Sequence, residues 1–182
     1  TILGVGLGDM VNKDFKAFGD ETGPRTSAEM LDESLEIIAG LQSGQPLSFS
    51  GKHYKISDAL FKPEPIQKPR VPVWVSAYWS FRRPLKRAAH WDGVLPRPWN
   101  EGPITPETTR KTKDIVFAQR QSESPFYIIK YGGITDGKDP VKDRAIVKEY
   151  EKVGVTWWIE AIFTNRGTLK QIQKRIAAGP PD

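Results

Sequence analysis

The residues able to do chemistry are few, and they gather where apolar runs end. The chain has no cysteine and two histidines, His53 and His90. Disulfides, thiolate metal sites and a cysteine nucleophile are therefore excluded, and two distant histidines make a poor metal set. Val73-Trp-Val is followed by the loop Ser76–Arg83, with Arg82 and Arg83 at its end, and then by Pro84. A buried strand feeding such a loop and then a helix turns backbone N–H groups and the positive end of a helix dipole to one rim, a natural anion site. The two arginines read either as contacts to that anion or as a solvated pair. Glu160 is the lone carboxylate in Val155–Phe163. Burial there would raise its pKa. It reads either as a group facing substrate or as the partner of a nearby Lys or Arg. Trp79 and Trp99 sit in post-strand loops, where core packing explains a tryptophan less well. His53 falls on a small hairpin and His90 on a helix face, and neither position is site-like.

The elements that position these groups repeat one pattern. Residues 2–8 read as a short strand in which Gly4, Gly6 and Gly8 alternate, without the spacing of a dinucleotide fingerprint. Those glycines serve either close packing and a turn or a ligand-facing role. Thr26–Gln42 is the clearest helix, with Thr26 and Glu29 at capping-box spacing. Residues 46–62 change period and predict a hairpin, Leu47–Phe49 against His53–Ile56. Residues 62–72 carry four prolines and predict an extended connector. The unit Pro72–Pro96 then predicts strand, loop, helix and a second strand that stops at Pro96. In it Pro84 is the first helical position, and Leu85, Ala88 and Ala89 form the buried stripe. Helices starting at Thr105–Pro106, Asp139–Pro140 and Thr168 alternate with strands Phe126–Tyr131 and Val155–Phe163. Five strands, each followed by a helix, predict a parallel sheet, either an open doubly wound one or most of a barrel. Ligands of such sheets sit at the C-terminal strand ends. Those rims are Gly6–Asp9, Ser76–Arg82, Pro96–Trp99, Gly132–Thr135 and Glu160–Thr164.

Bulk properties narrow the class. The chain has 182 residues, 38% of them hydrophobic, and a formal net charge of +5. That suits one soluble core of ordinary size. The charges are interspersed, which favours solvated helix faces over a nucleic-acid groove. No apolar run approaches the roughly 20 residues that span a bilayer. No leader pattern is present, and with the absence of cysteine this predicts a cytoplasmic protein.

Taken together, these motifs resemble one family. Gly4-Val-Gly-Leu-Gly8 and Asn12–Gly19 are similar to the fourth strand and following loop of the luciferase-like flavin-dependent monooxygenases, bacterial luciferase included. Phe49-Ser-Gly51 with His53-Tyr54 resembles the family's hairpin, and Pro65–Val73 its proline-rich approach to strand five. Arg87-Ala-Ala89 with Trp91–Pro96 resembles helix five and strand six. Gly154–Glu160 and Gly179-Pro-Pro181 match the last strand and C-terminus of one branch.

The resemblance implies a partial (β/α)8 TIM barrel of the luciferase-like type, with about five parallel strand–helix units and a small hairpin insertion. Residues 1–182 would be one domain beginning at strand four. Strands one to three, the family's histidines near the flavin ring and its dimer helices would be absent. The implied activity is oxidation or monooxygenation of a small organic substrate by reduced FMN or F420. Alternatives are a non-catalytic flavin-binding or partner-binding remnant, and a half that self-associates or needs a completing chain. The resemblance places the cofactor phosphate against Ser76, Ala77, Tyr78, Trp79, Ser80 and Arg82, with Pro96 and Arg97 next. Gly6 and Gly8 border the cofactor, and Glu160 and Trp99 the substrate. Leu7 stands where bacterial luciferase has a phosphate-holding arginine. No nucleic acid, membrane or metal is implied.

Overall fold

The computed structural model describes residues 1–8, 14–20, 23–100, 102–135 and 137–180. Asp9 of the first rim, Asn12 of the loop motif and Pro181 of the C-terminal motif lie outside the described residues. The chain forms two compact units, Thr1–Val73 and Trp74–Asp182.

In the first unit, β1 (Leu3–Val5) is short, and its Leu3 N–H donates to the Pro72 carbonyl at 2.9 Å. Gly8 follows at φ +78°, where an added Cβ would lie 2.4 Å from the Phe15 ring of α1 (Asp14–Ala17). Turn geometry and close approach both call for glycine there. The next helix, α2 (Pro24–Leu41), starts two residues earlier than the sequence predicts. Gly23 is its N-cap and Pro24 its first residue, so Thr26 lies inside the first turn and the expected capping box does not form. Proline wins because its fixed φ suits that position and it has no N–H to satisfy.

The hairpin is present as β2 (Leu47–Ser50) and β3 (Lys55–Ala59), antiparallel. His53 lies in its turn, not on the second strand. One carboxylate, Glu33 of α2, accepts the N–H groups of Lys52, His53 and Tyr54 at 2.8, 3.0 and 2.9 Å, which anchors that turn.

The second unit carries β4 (Val73–Tyr78) from its second residue on, then α3 (Arg82–Ala89), β5 (Gly93–Arg97), α4 (Pro106–Phe117), β6 (Tyr127–Gly133), α5 (Pro140–Lys152), β7 (Trp157–Glu160) and α6 (Leu169–Ala177). Capping boxes form at Thr105/Thr108 and Thr168/Gln171, and Asp139 caps α5. Several boundaries differ from expectation, β6 among them, which runs to Gly133 and not Tyr131. Strand β4 runs on through Tyr78, so the loop is only Trp79–Phe81 and Pro84 is the third helical residue, still among the N–H groups a helix leaves unpaired. Pro96 is inside β5, opposite Ala77 and one residue from the strand's end, where a missing donor is tolerated. And β7 stops at Glu160, its partner β6 having ended at Gly133, so Ile162 and Phe163 are exposed.

The pairings β4–β5, β5–β6 and β6–β7 are all parallel, so these strands lie in the order β4-β5-β6-β7. From β4 onward each new strand is added on the same side, with no reversal. A doubly wound sheet needs a reversal and a barrel does not, which decides between the two architectures left open by the sequence. Right-handed crossovers that never reverse put α3, α4 and α5 on one sheet face. That face holds Val75, Ala77, Leu85, Ala88, Val94, Val116 and Ile128, each no more than 2% exposed. The other face carries Trp74, Ser76 and Tyr78 of β4, with Gly93 and Arg97 of β5 and Tyr127 and Tyr131 of β6 by alternation.

Candidate functional site

The ends of β4 and β5 form an open cationic and aromatic rim. Helix α3 begins there at Arg82, with Phe81 as its N-cap and no side-chain cap. Its first turn holds no acidic residue, and its eight residues, RRPLKRAA, include four cations and no anion. Arg82 and Arg83 are exposed and have no ion-pair partner among the described residues. Cations at a helix N-terminus oppose the dipole, and the first-turn N–H groups are unpaired. Without a ligand this end is therefore electrostatically frustrated, and an anion would relieve it.

Beside it, Tyr78, Phe81 and Trp99 form a triangle of rings, with centroids 5.8, 4.9 and 5.7 Å apart. Phe81 and Trp99 are 43% and 51% exposed. Arg97 ends β5 with its guanidinium 6.0 Å from the Tyr131 ring centroid at the end of β6, a cation–π contact reaching across to the next strand.

The expected anion donors need revision. Ser76, Ala77 and Tyr78 belong to β4, in register with Leu95, Pro96 and Arg97, so their backbone serves the ladder and not a loop. The Trp79 N–H donates to the Arg97 carbonyl at 3.1 Å, and the Phe81 N–H to the Tyr78 carbonyl at 3.1 Å. What remains for an outside anion is exposed Ser80, the first amides of α3 and the side chains of Arg82 and Arg83. Pro96 is buried and Arg97 exposed. Gly6 and Gly8 lie in the first unit, and Gly8 is accounted for by its turn and the Phe15 ring.

The ends of β6 and β7 are closed instead. Glu160 shares a face of β7 with Trp158, whose ring packs edge-on against Tyr150 of α5 at 5.4 Å, so it points to the helix layer and away from the open rim. One carboxylate oxygen accepts the Thr135 N–H and an Arg166 N–H, both at 2.8 Å; the other accepts the Trp158 indole N–H at 2.9 Å. Burial pushes this carboxyl up, but the Thr135 amide, the Trp158 indole and Arg166 outweigh it. Its pKa therefore lies below the ordinary carboxylate value, opposite to the expectation from burial alone. Arg166 also donates to the carbonyls of Ala161 and Thr135, and Arg175 of α6 donates to the Thr135 hydroxyl at 2.7 Å. The pairing reading of Glu160 accounts for both of its oxygens.

Three other polar groups have internal roles. Lys130 of β6 is 9% exposed, with Nζ 3.3 Å from the Tyr131 carbonyl and 5.3 Å from the Tyr150 ring centroid, and burial lowers its pKa. His53 meets Glu29 through Nε2 at 3.1 Å, and the His90 Nδ1 meets the Lys86 carbonyl at 2.8 Å. Sequence reasoning missed Phe81 and Tyr131 at the open rim; their positions beside a strand end were the available signal.

The profile of the luciferase-like monooxygenase family matches residues 1–128. Among solved structures, the coenzyme F420-dependent tetrahydromethanopterin reductase from Methanopyrus kandleri is 18% identical, with a TM-score of 0.68 over 98% of this chain and 72% of that one. An F420-dependent secondary alcohol dehydrogenase, in complex with an F420–acetone adduct, is 15% identical, with a TM-score of 0.55 over 99% and 62%. A monooxygenase from Streptomyces bottropensis is 17% identical, with a TM-score of 0.53 over 97% and 56%. The chain thus spans between 56% and 72% of these proteins' lengths. At such identities the likeness establishes the fold, an α/β partial (β/α)8 barrel.

Proposed function

The chain belongs to the luciferase-like monooxygenase family, and from that premise we propose that it is an oxidoreductase using reduced FMN or F420 on a small organic substrate. The family uses either cofactor, and two of the similar structures are F420-dependent proteins. The carrying observation is the uncapped, acid-free N-terminus of α3, where Arg82 and Arg83 have no ion-pair partner among the described residues, beside a triangle of rings of which Phe81 and Trp99 are exposed. A cofactor with a flat ring system and a phosphate fits those features. The phosphate would be held by the first amides of α3, by Ser80 and by the two guanidinium groups, as charge-assisted hydrogen bonds.

When bound, the cofactor supplies the electron-transfer chemistry. The residues of the chain bind and orient: Arg82 and Arg83 fix the anionic end, and Arg97 on Tyr131 stiffens the neighbouring rim. Tyr78, Phe81 and Trp99 provide apolar cover that excludes water. No side chain is assigned an acid–base step. The substrate meets the rim near Trp99. Among the described residues no helix is long and apolar enough to cross a membrane, and a cytoplasmic location is part of the proposal.

The test compares ligands with and without phosphate. FMN against riboflavin, and F420 against its phosphate-free deazaflavin core, are titrated into the chain by fluorescence at low salt. At least one phosphorylated form should bind about tenfold or more tighter than its partner, in line with one or two charge-assisted bonds. Replacing Arg82 and Arg83 together by Ala should erase the difference. Equal affinity for all four ligands, or a difference that survives the double replacement, sinks the reading.

A second reading, a flavin-holding or partner-binding remnant without turnover, is favoured by the internal roles of Glu160, His53 and His90. Binding without oxygen uptake or substrate oxidation would select it. Self-association or completion by another chain would appear as a size above one chain on gel filtration.

A further inference from the structure

One cation stands alone on the sheet face turned away from α3, α4 and α5. By alternation that face takes positions 74, 76 and 78 of β4, 93, 95 and 97 of β5, 127, 129 and 131 of β6, and 157 and 159 of β7. Arg97, the last residue of β5, is the only charged residue among them. It is exposed and in register with Tyr78 of β4, and its guanidinium lies over the Tyr131 ring of β6, 6.0 Å from the centroid. Among the described residues its side chain has no hydrogen bond or ion pair.

A guanidinium over a ring keeps its N–H groups in its own plane, as a fork that matches two oxygens. The amides beside it are spent. The Trp79 N–H donates to the Arg97 carbonyl, and β4 and β5 stay paired up to Tyr78 and Arg97. One fork of one charge suits a planar monoanion, a carboxylate, whereas a phosphate finds more donors in Ser80 and the first amides of α3. The rest of the surroundings is apolar or aromatic. Leu95 and Ile129 share the face of Arg97, and Trp99, 51% exposed, has its ring centroid 4.9 Å from that of Tyr78.

We propose that Arg97 is a specificity-determining residue of the rim, and that the substrate it selects is an aromatic carboxylate. The carboxylate accepts from the Arg97 fork, and the ring lies against the exposed ring of Trp99, where offset and edge contacts add to burial. Calling this ligand a substrate rests on the oxidoreductase reading of the rim. The binding itself uses none of Ser80, Arg82 or Arg83.

The test titrates 4-fluorobenzoate and its neutral isostere 4-fluorobenzamide into the cofactor-free full chain, at neutral pH and low salt, and reads binding from saturable 19F line broadening. The carboxylate should bind about tenfold or more tighter than the amide. R97M keeps the length of the side chain without its charge and should erase the difference; if it fails to fold, R97Q takes its place. R97K, which keeps the charge but not the fork, should retain more of the difference than R97M. The double variant R82A/R83A should leave it intact. Equal binding of the two ligands, a difference that survives R97M or R97Q, or one that is lost in R82A/R83A would each overturn the inference. The comparison of FMN with riboflavin depends on Arg82 and Arg83 and this one on Arg97, so either can fail while the other stands.

Discussion

Two pairs of strand ends in the second unit solve the same problem in opposite ways. Where β4 and β5 end, cations crowd the positive end of a helix with no cap and no acid, and aromatic rings stay exposed. Where β6 and β7 end, the polar groups are paired internally: Glu160 with Arg166, the Thr135 amide and the Trp158 indole, and the Thr135 hydroxyl with Arg175. The first arrangement is poor for stability and good for capturing an anion. The second stabilises the fold and leaves little to offer a ligand. Strand ends in one sheet thus divide the labour, and the half-buried carboxylate of Glu160 marks the structural side of it.

The largest expected effect comes from breaking the closed end. Glu160→Ala leaves Arg166 without its anion and the Thr135 amide and Trp158 indole without an acceptor. The loss should be about 3 kcal/mol, read from the urea midpoint. Because the folded pKa of Glu160 lies below its ordinary value of 4.5, its contribution is complete above that value. It fades as pH falls through the lowered pKa. Wild-type stability should therefore drop on acidification more steeply than that of Glu160→Gln, and parallel curves would contradict the network.

Lys130 gives an intermediate effect. Burial lowers its pKa from 10.5, so the unfolded chain holds the proton more tightly. The sign is that stability rises with pH across the alkaline interval between the folded value and 10.5. Lys130→Met, which fills similar space without a charge, should be neutral or stabilising by up to about 1 kcal/mol near neutral pH, and should flatten that rise. A clear destabilisation would mean that the ammonium has a role not visible in its contacts.

The smallest effect should appear at the open end, with the opposite sign. Replacing Arg82 and Arg83 by Gln without ligand should stabilise the chain by about 0.3–1 kcal/mol, because it relieves the clash with the helix dipole. The same change should weaken binding of phosphorylated cofactor. Stability and binding moving in opposite directions is the signature of an anion site, and a loss of both would point to a packing role.

Much of this was legible in the sequence. The helix starting at Thr105–Pro106 and the stripe Leu85, Ala88 and Ala89 were readable because a cap and a 3.6-residue stripe are local signals. The glycine-rich first strand and the hairpin were legible in the same way. The fold family was readable from several ordered motifs, none of which would have sufficed alone. Boundaries were missed where a non-local partner sets them: β7 ends with β6, and β4 runs on into its supposed loop because β5 continues beside it.

The sequence by itself determined the alternation of strands and helices, the absence of thiol chemistry, and the cationic stretch Arg82–Arg87. Only the tertiary structure decided that β4 to β7 never reverse, that Trp79 donates its amide to Arg97, and that Glu160 lies with Arg166 and not at an open mouth. The reason is physical: periodicity and capping are written over a few neighbouring residues. A carboxylate's partner is fixed by strand register and loop path, as when Glu160 meets an amide 25 residues away.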